Sequence, residues 1–366
     1  MATTYLTLTN NVLNELNEPE LTSTTFSSSR GIQTSVKKFV LKAMHEVYNS
    51  ISEVPDLYIS TTQDTNAGQR TYALPSSSSP QSTDKAYRKV DWDTFLLSPK
   101  ELVTNGEFTS DISSWTTIAG SGSAAYNSGG NGRARLNDYA IYQSISTIKN
   151  RTYRLQLRVF DSESVGQALK IQVGTSAEDT TNLNTTLTVT NFGEGAVINT
   201  TFTATAQTSY ITLNNTVTST NLDVDYVRIS ENIKVKKLKY MTYDDWNNRY
   251  LERDLTNTSS SYGCPEYVYH TQDKKFGLSP VPDKNNYTIQ YEYWHVHTDL
   301  SAHGDTMDLD DRFKDVITTK AKYYAYILRS DPQAAAMAVK EYDNQLQQLR
   351  SEYVTTKTYM RDTRVN

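Results

Sequence analysis

Apolar residues recur every three or four positions at both ends of the chain, and this period predicts amphipathic α-helices. Near the N-terminus, for example, Tyr5, Leu8 and Val12 fall on one helical face. Four helices are predicted, over about residues 4–18, 30–52, 309–329 and 332–357. Because each has one apolar face, we expect them to pack together as a helical bundle built from both chain ends.

The apolar stripes of these helices identify the residues that are expected to pack within the bundle. They are Val36, Val40, Val47, Phe313, Val316, Val339, Tyr342, Leu346 and Leu349. The stripe of the third helix continues to Ile327, and Asp308 is placed to cap its start. Asp331 and Pro332 predict the start of the fourth helix, since proline loses no needed hydrogen bond at the first helical position.

The period changes to two in the middle of the chain, which predicts β-strands. Tyr153, Leu155, Leu157 and Val159 alternate with polar residues, the pattern of a half-buried strand. Similar short runs recur between residues 101 and 232, separated by turn-forming residues, and this spacing predicts an antiparallel sandwich. The predicted fold class is therefore α+β. A discontinuous domain of residues 1–100 and 233–366 carries the bundle and a small antiparallel β region, and residues 101–232 form an inserted all-β sandwich.

Composition and charge exclude or disfavour several classes of protein function. A chain of 366 residues suits two or three modules, and its net charge of −5 disfavours a broad basic face that grips nucleic acid. Its single cysteine, Cys264, excludes an internal disulfide framework. We find neither an apolar run of about 20 residues, as a membrane span requires, nor the basic and apolar start of a secretion signal.

Several segments outside the middle of the chain carry a resemblance to a known family. They are residues 5–18, 21–22, 31–49, 237–241, 243–246, 276–283 and 331–335. In their order and spacing they resemble the head-to-tail adaptor proteins (connector, or tail tubular protein A-like) of tailed bacteriophages. The resemblance implies a structural protein of the virion neck, assembled in the host cytoplasm, and no enzyme.

That resemblance also implies partners. Adaptors of this kind form a closed ring of about twelve subunits beneath the portal, so each subunit must present two complementary faces, here supplied by the bundle packing residues. A tail tube or nozzle protein would lie below, and double-stranded DNA would pass through the channel without specific binding. The C-terminal segment would dock on the portal protein through Lys357, Tyr359, Met360, Arg361 and Arg364.

The inserted segment carries a second resemblance, through residues 102–108, 114–116, 142–143, 153–155 and 223–229. These resemble the galactose-binding-like jelly roll of carbohydrate-binding modules. An alternative function is therefore a phage surface protein that binds host polysaccharide through this jelly roll. Aromatic faces stack on sugars and polar groups bind the ring edge. The candidate glycan-binding residues are Trp115, Tyr126, Tyr139 and Tyr142 with Arg133, Arg135 and Asn137.

Two questions stay open in the insertion. Trp115 is either a glycan platform or the core tryptophan that such jelly rolls carry near their first strand. The resemblance also implies a structural calcium ion, for which Glu107 and Asp225 match the early and late carboxylate positions. No other cofactor is expected.

Candidate chemistry elsewhere has simpler explanations. His295 and His297 would share a strand face near Asp299 and could supply half of the ligands of a metal site. The preferred interpretation is that both are solvated or subunit-facing histidines. His45 is interpreted as a structural histidine. Acidic residues at positions 244, 245, 308, 310 and 311 stand at helix starts, where capping explains them. The aromatic run Tyr287, Tyr291, Tyr293 and Trp294 favours packing over nucleic-acid stacking. No catalytic residues are predicted.

Overall fold

The computed structural model describes residues 3–51, 53–76, 85–118, 122–128, 132–161, 168–190, 195–215, 221–255 and 261–355. These residues form six α-helices and eighteen β-strands. The chain divides into two compact units. The helical unit comprises residues 1–61, 74–92 and 291–366, and the β unit comprises residues 62–73 and 93–290.

The helices and strands have the following bounds. The helices are α1 (Tyr5–Glu15), α2 (Ile32–Ser50), α3 (Tyr243–Arg249), α4 (Leu251–Leu255), α5 (Lys314–Leu328) and α6 (Pro332–Thr355). The first nine strands are β1 (Tyr58–Asp64), β2 (Thr71–Ala73), β3 (Tyr87–Pro99), β4 (Thr116–Ile118), β5 (Ser123–Asn127), β6 (Arg133–Asn137), β7 (Tyr139–Ser146), β8 (Thr152–Asp161) and β9 (Ala168–Gly174). The last nine are β10 (Leu183–Thr188), β11 (Ala196–Thr203), β12 (Thr208–Asn215), β13 (Asn221–Glu231), β14 (Lys236–Lys237), β15 (Lys239–Met241), β16 (Tyr267–His270), β17 (Lys275–Ser279) and β18 (Tyr287–His295).

In the helical unit, α5 packs against α1, α2 and α6, and all four helices contribute to one apolar core. Polar groups define the helix ends. The hydroxyl of Thr4 accepts a hydrogen bond from the Thr7 backbone N–H (3.2 Å) at the start of α1. The carboxylate of Asp331 accepts one from the Ala334 N–H (3.0 Å) at the start of α6, as the sequence predicts.

The start of α5 differs from the prediction. A short 3-10 turn, Asp311–Phe313, precedes it, and Asp310 rather than Asp308 caps that turn. Asp308 instead accepts a hydrogen bond from the Thr298 backbone N–H (2.7 Å). The end of α5 also differs, because Ile327 is exposed although it continues the apolar stripe.

The predicted packing residues point into the unit's own core. Val36, Val40, Val47, Val316, Tyr342, Leu346 and Leu349 are buried there, while Phe313 and Val339 are half-buried. A side chain enclosed by its own subunit cannot also contact a neighbouring one. Ring contacts are therefore not expected from the seven buried residues, and those of the half-buried Phe313 and Val339 stay a prediction.

The β unit contains the predicted antiparallel sandwich. One five-stranded sheet has the order β10-β9-β12-β7-β4 and the other the order β11-β8-β13-β6-β5. Every strand pair described within them is antiparallel. Alternate residues such as Leu155, Leu157 and Ile171 share one core between the sheets, because successive side chains of a strand face opposite sides.

The remaining strands form two four-stranded sheets, ordered β1-β18-β3-β14 and β15-β16-β17-β2. The pairing of β15 with β16 is parallel, which departs from the predicted antiparallel character. The division between the units falls within β1, β3 and β18. The compact β unit therefore includes residues 233–290 besides the predicted insertion of residues 101–232.

Tyr287, Tyr291, Tyr293 and Trp294 of β18 are all buried, which agrees with packing and leaves no face for stacked bases. Within the described part of the chain, no helix is both long and apolar enough to cross a membrane.

Candidate binding surfaces

Two tyrosines lie side by side on the outer face of the sheet β10-β9-β12-β7-β4. Strand register places Tyr142 of β7 opposite Thr212 of β12, and Tyr210 opposite Ser144. The rings of Tyr142 and Tyr210 have centroids 6.0 Å apart at an interplanar angle of 40°. With Thr104, Ser114, Thr116, Gln143 and Ser144 they line an open, mostly polar cavity of about 370 Å³.

A loop over residues 175–182 folds onto the same outer face. The Glu178 backbone N–H donates to the Thr212 hydroxyl (2.9 Å), and the Gln172 amide donates to the Glu178 carbonyl (2.8 Å). Asp179 ties the loop together by accepting hydrogen bonds from the hydroxyls and N–H groups of Thr181 and Thr175, which hold its carboxyl pKa well below the usual range. The loop covers Thr212 and leaves the two tyrosines partly open.

The other predicted glycan residues do not join Tyr142. Trp115 is buried, packs beside Phe108 with ring centroids 5.6 Å apart, and donates its indole N–H to the Asn105 carbonyl (3.2 Å). It is therefore the core tryptophan and cannot stack on a sugar. Tyr139 lies three residues before Tyr142 on β7, so it belongs to the opposite face. Tyr126 lies on β5, in the other sheet, and donates to the Thr109 carbonyl (3.0 Å).

Arg133, Arg135 and Asn137 also lie in that other sheet, on β6. Two nitrogens of the Arg135 guanidinium donate to the two oxygens of the buried Asp223 carboxylate, at 2.8 and 3.0 Å. Arg133 pairs with Asp225 (3.3 Å) and lies 3.8 Å above the centroid of the Phe160 ring. These arginines have acidic partners within the sheet, so they form a structural ion-pair cluster rather than the edge of the tyrosine cavity.

The two predicted calcium ligands also face arginines. Glu107 accepts a hydrogen bond from Arg228 (2.6 Å), and Asp225 lies 3.3 Å from Arg133 and 3.8 Å from Arg158. Among the described residues, neither carboxylate belongs to a group of three or more metal-ligating side chains, and a calcium site completed by backbone carbonyls stays a prediction.

The histidines come together differently from the prediction. β18 ends at His295, so the alternation that would place His295 and His297 on one face does not continue. His295 is buried with its Nδ1 2.6 Å from the Val296 carbonyl, and burial lowers its pKa. His297 instead contacts His45 of α2, far away in sequence, and burial lowers the pKa of His297 as well.

The surface of the helical unit carries exposed apolar side chains at the turn between α5 and α6. Ile327 and Leu328 end α5, each 53% exposed, and Met337 on the second turn of α6 is 75% exposed. We call these three residues the α5–α6 tip. Sequence periodicity does not predict this exposed group, because Ile327 continues the apolar stripe of α5 and is therefore expected to be buried. The predicted portal-docking residues Lys357, Tyr359, Met360, Arg361 and Arg364 lie outside the described residues.

Several solved structures are similar to part of this chain. The N-terminal cellulose-binding domain of β-1,4-glucanase C from Cellulomonas fimi is 18% identical with a TM-score of 0.30, covering 37% of this chain and 99% of that domain. A family 16 carbohydrate-binding module is 15% identical with a TM-score of 0.29, covering 36% of this chain and 99% of that module. The enzymatically active domain of tailspike protein 4 from bacteriophage CBA120 is 14% identical with a TM-score of 0.28, covering 36% of this chain and 21% of that one.

A comparison with curated proteins finds no match. One family model, described as the SU10 adaptor protein, matches residues 165–365. The match includes strands β9–β13 of the sandwich as well as helices α3 to α6. Since this one model matches more than half of the 366 residues, the chain belongs to the SU10 adaptor protein family.

Proposed function

We propose that this chain is a structural subunit of the head-to-tail adaptor of a tailed phage, located in the virion between the portal and the tail. Membership of an adaptor family supports this role. The observation that carries it is the α5–α6 tip, three large apolar side chains left exposed by a unit whose other stripe residues are buried or half-buried. Such side chains at one end of a helical hairpin suit a protein–protein contact.

The adaptor subunits form a closed ring of about twelve copies, in which each copy presents two different complementary faces. The four long helices act as one bundle that makes the ring wall, and the α5–α6 tip provides part of one face. Residues 101–232 are an insertion in this adaptor. The C-terminal residues from Lys357 to Arg364 dock on the portal protein, a tail tube or nozzle protein binds below, and DNA passes through without specific contacts.

Replacing Met337 with glutamate tests the assembly role. A charge at a side chain that becomes buried between subunits is expected to shift the purified chain from rings to monomers, because an unpaired charge is costly to bury. Mass photometry of the full chain, alone and with the portal protein of the same phage, measures the change. The change leaves the core intact, since Met337 is exposed within the subunit.

Gln347→Glu is the matched control, because Gln347 is also exposed on α6 and the substitution adds the same charge. We expect this variant to assemble like the unmodified chain. A wild-type chain that stays monomeric and ignores the portal would overturn the adaptor proposal. If the Met337→Glu variant forms rings as well as the unmodified chain does, the α5–α6 tip is not part of the interface between subunits.

A second candidate function is polysaccharide binding by the sandwich, favoured by the paired rings of Tyr142 and Tyr210 beside the polar cavity. Two adjacent aromatic faces with hydroxyl groups around them are a suitable platform for a sugar chain. In this role the protein displays the sandwich on the virion surface and binds host polysaccharide.

Tyr142→Ala and Tyr210→Ala test this function. Each is expected to weaken binding by about fivefold or more, because a central aromatic contact in an interface costs more than 1 kcal/mol when truncated. Affinity electrophoresis of the full chain in gels containing host-envelope polysaccharide measures the loss. Tyr126→Ala, in the other sheet, is the control and should bind normally. If the unmodified chain does not bind any polysaccharide, this second function fails and the adaptor role is unaffected.

A further inference from the structure

We propose that His45, His297 and Asp299 form a binding site for a divalent transition metal ion of the zinc type. All three residues belong to the helical unit, His45 on α2 and the other two just after β18. The described residues contain this one group of three metal-ligating side chains, in which one ligand atom from each lies within 4.8 Å of the others.

Two of the three distances between the ligand atoms suit a tetrahedral ion, and the third, between the two imidazoles, is within 4.8 Å. Asp299 Oδ1 lies 3.2 Å from His45 Nε2 and 3.5 Å from His297 Nε2. Zinc–ligand bonds of about 2.0–2.2 Å at tetrahedral angles separate neighbouring ligand atoms by about 3.3–3.5 Å. The carboxylate oxygen therefore already lies at ligand spacing from both imidazoles.

The surrounding structure holds one of the three ligands, His297, in place before any ion binds. The His297 ring stacks on Tyr48 of α2, with centroids 4.6 Å apart and an interplanar angle of 6°. Its chain segment is fixed by two backbone hydrogen bonds, from the Val296 N–H to the Ala86 carbonyl (2.8 Å) and from the Thr298 N–H to the Asp308 carboxylate (2.7 Å). Such fixed ligands lose little conformational freedom on binding a metal.

Exposure leaves room for further ligands. The His297 side chain is only 8% exposed, while His45 and Asp299 are 44% and 68% exposed. One side of the group therefore faces solvent, where water or a group from another molecule completes the coordination. Two imidazoles and one carboxylate are ligands that zinc and related ions accept.

Without an ion, the same residues form a hydrogen-bonded group. His45 Nδ1 and His297 Nε2 lie 3.3 Å apart, and the Asp299 oxygen faces both rings. The ion would replace these hydrogen bonds and join α2 to the segment after β18. Binding to the folded state is therefore expected to stabilise the helical unit.

Isothermal titration calorimetry of the tag-free full chain with ZnCl₂, in a buffer without chelators, tests the proposal. We expect one saturable zinc site per chain and a rise in the melting temperature with zinc. Titration with Co²⁺ is expected to give the intense visible absorption of a tetrahedral complex. His45→Gln and Asp299→Asn change exposed side chains, so both should fold, and each is expected to weaken binding by about tenfold or more.

His303→Gln is the matched control, because His303 is an exposed histidine of the same unit outside the group. It should bind zinc like the unmodified chain. Absence of saturable binding by the unmodified chain overturns the proposal, since the residues are then a hydrogen-bonded group only. Equal binding by His45→Gln and Asp299→Asn would overturn it as well, because the ion would then be held elsewhere.

Discussion

Replacing Lys284 with methionine is expected to lower the free energy of unfolding of the β unit by about 3–5 kcal/mol, the usual cost of leaving a buried charge without its partner. The Lys284 ammonium donates to the carboxylate of Glu231 at 2.7 Å, and the two side chains are only 7% and 3% exposed. The second cation near Glu231, Arg151, is 53% exposed and farther away, at 3.9 Å, so it compensates little for the loss of Lys284. Glu231 ends β13, the last strand of the sandwich, whereas Lys284 precedes β18. This pair therefore joins the sandwich to the segment that follows it.

Denaturant-dependent hydrogen exchange followed by mass spectrometry measures this loss, in peptides from β8 and β13. The double variant Lys284→Met with Glu231→Leu should recover most of the stability, because replacing both members removes the uncompensated charge. Lys275→Met is the matched control. Lys275 pairs with Asp273, but both side chains are about half exposed, and we expect a loss of about 0–1 kcal/mol. Equal losses in the two single variants would contradict the assignment of a buried pair.

Leu349→Ala is expected to destabilise the helical unit by about 2–5 kcal/mol, through lost burial and the cavity that remains. Leu349 is fully buried on α6, in the core shared with α1, α2 and α5. Amide exchange in peptides from α2 and α5 should rise together, because the four helices share that core. Since α6 leads into the proposed portal-docking segment, weaker portal binding is also expected.

Gln348→Ala provides the comparison, since Gln348 is the exposed neighbour of Leu349 on the same helix. Its effect is expected to stay within about 0.5 kcal/mol. If Leu349→Ala raised exchange in α6 alone, this helix would be only loosely attached, and the shared core would not describe its packing.

Much of the fold follows from local sequence patterns. The spacing of Tyr5, Leu8 and Val12 predicts a helix that the structure contains as α1, and the alternation from Tyr153 to Val159 predicts a strand that it contains as β8. Asp331 caps α6 as predicted. Such patterns are reliable because the period of a helix or strand determines which of its own side chains share a face.

The binding surfaces depend on contacts that no local pattern contains. His297 contacts His45, 252 positions away in the chain. The sequence pattern instead placed His297 beside His295, because both would share one face if the strand continued. Tyr210 joins Tyr142 only through the pairing of β12 with β7. The polar alternation of β12 could have suggested an outward-facing Tyr210, but it could not indicate the neighbouring strand.

The sequence by itself therefore determined the helical ends, the β-rich middle and the resemblance to phage adaptors, because periodicity and motif order are properties of the chain alone. The tertiary structure decided that Trp115 belongs to the core, that Lys284 pairs with Glu231, and that Ile327 lies exposed at the α5–α6 tip. The period of the side chains along a helix or strand shows which residues lie on the same face. Which residues contact that face depends on how distant segments of the chain pack together.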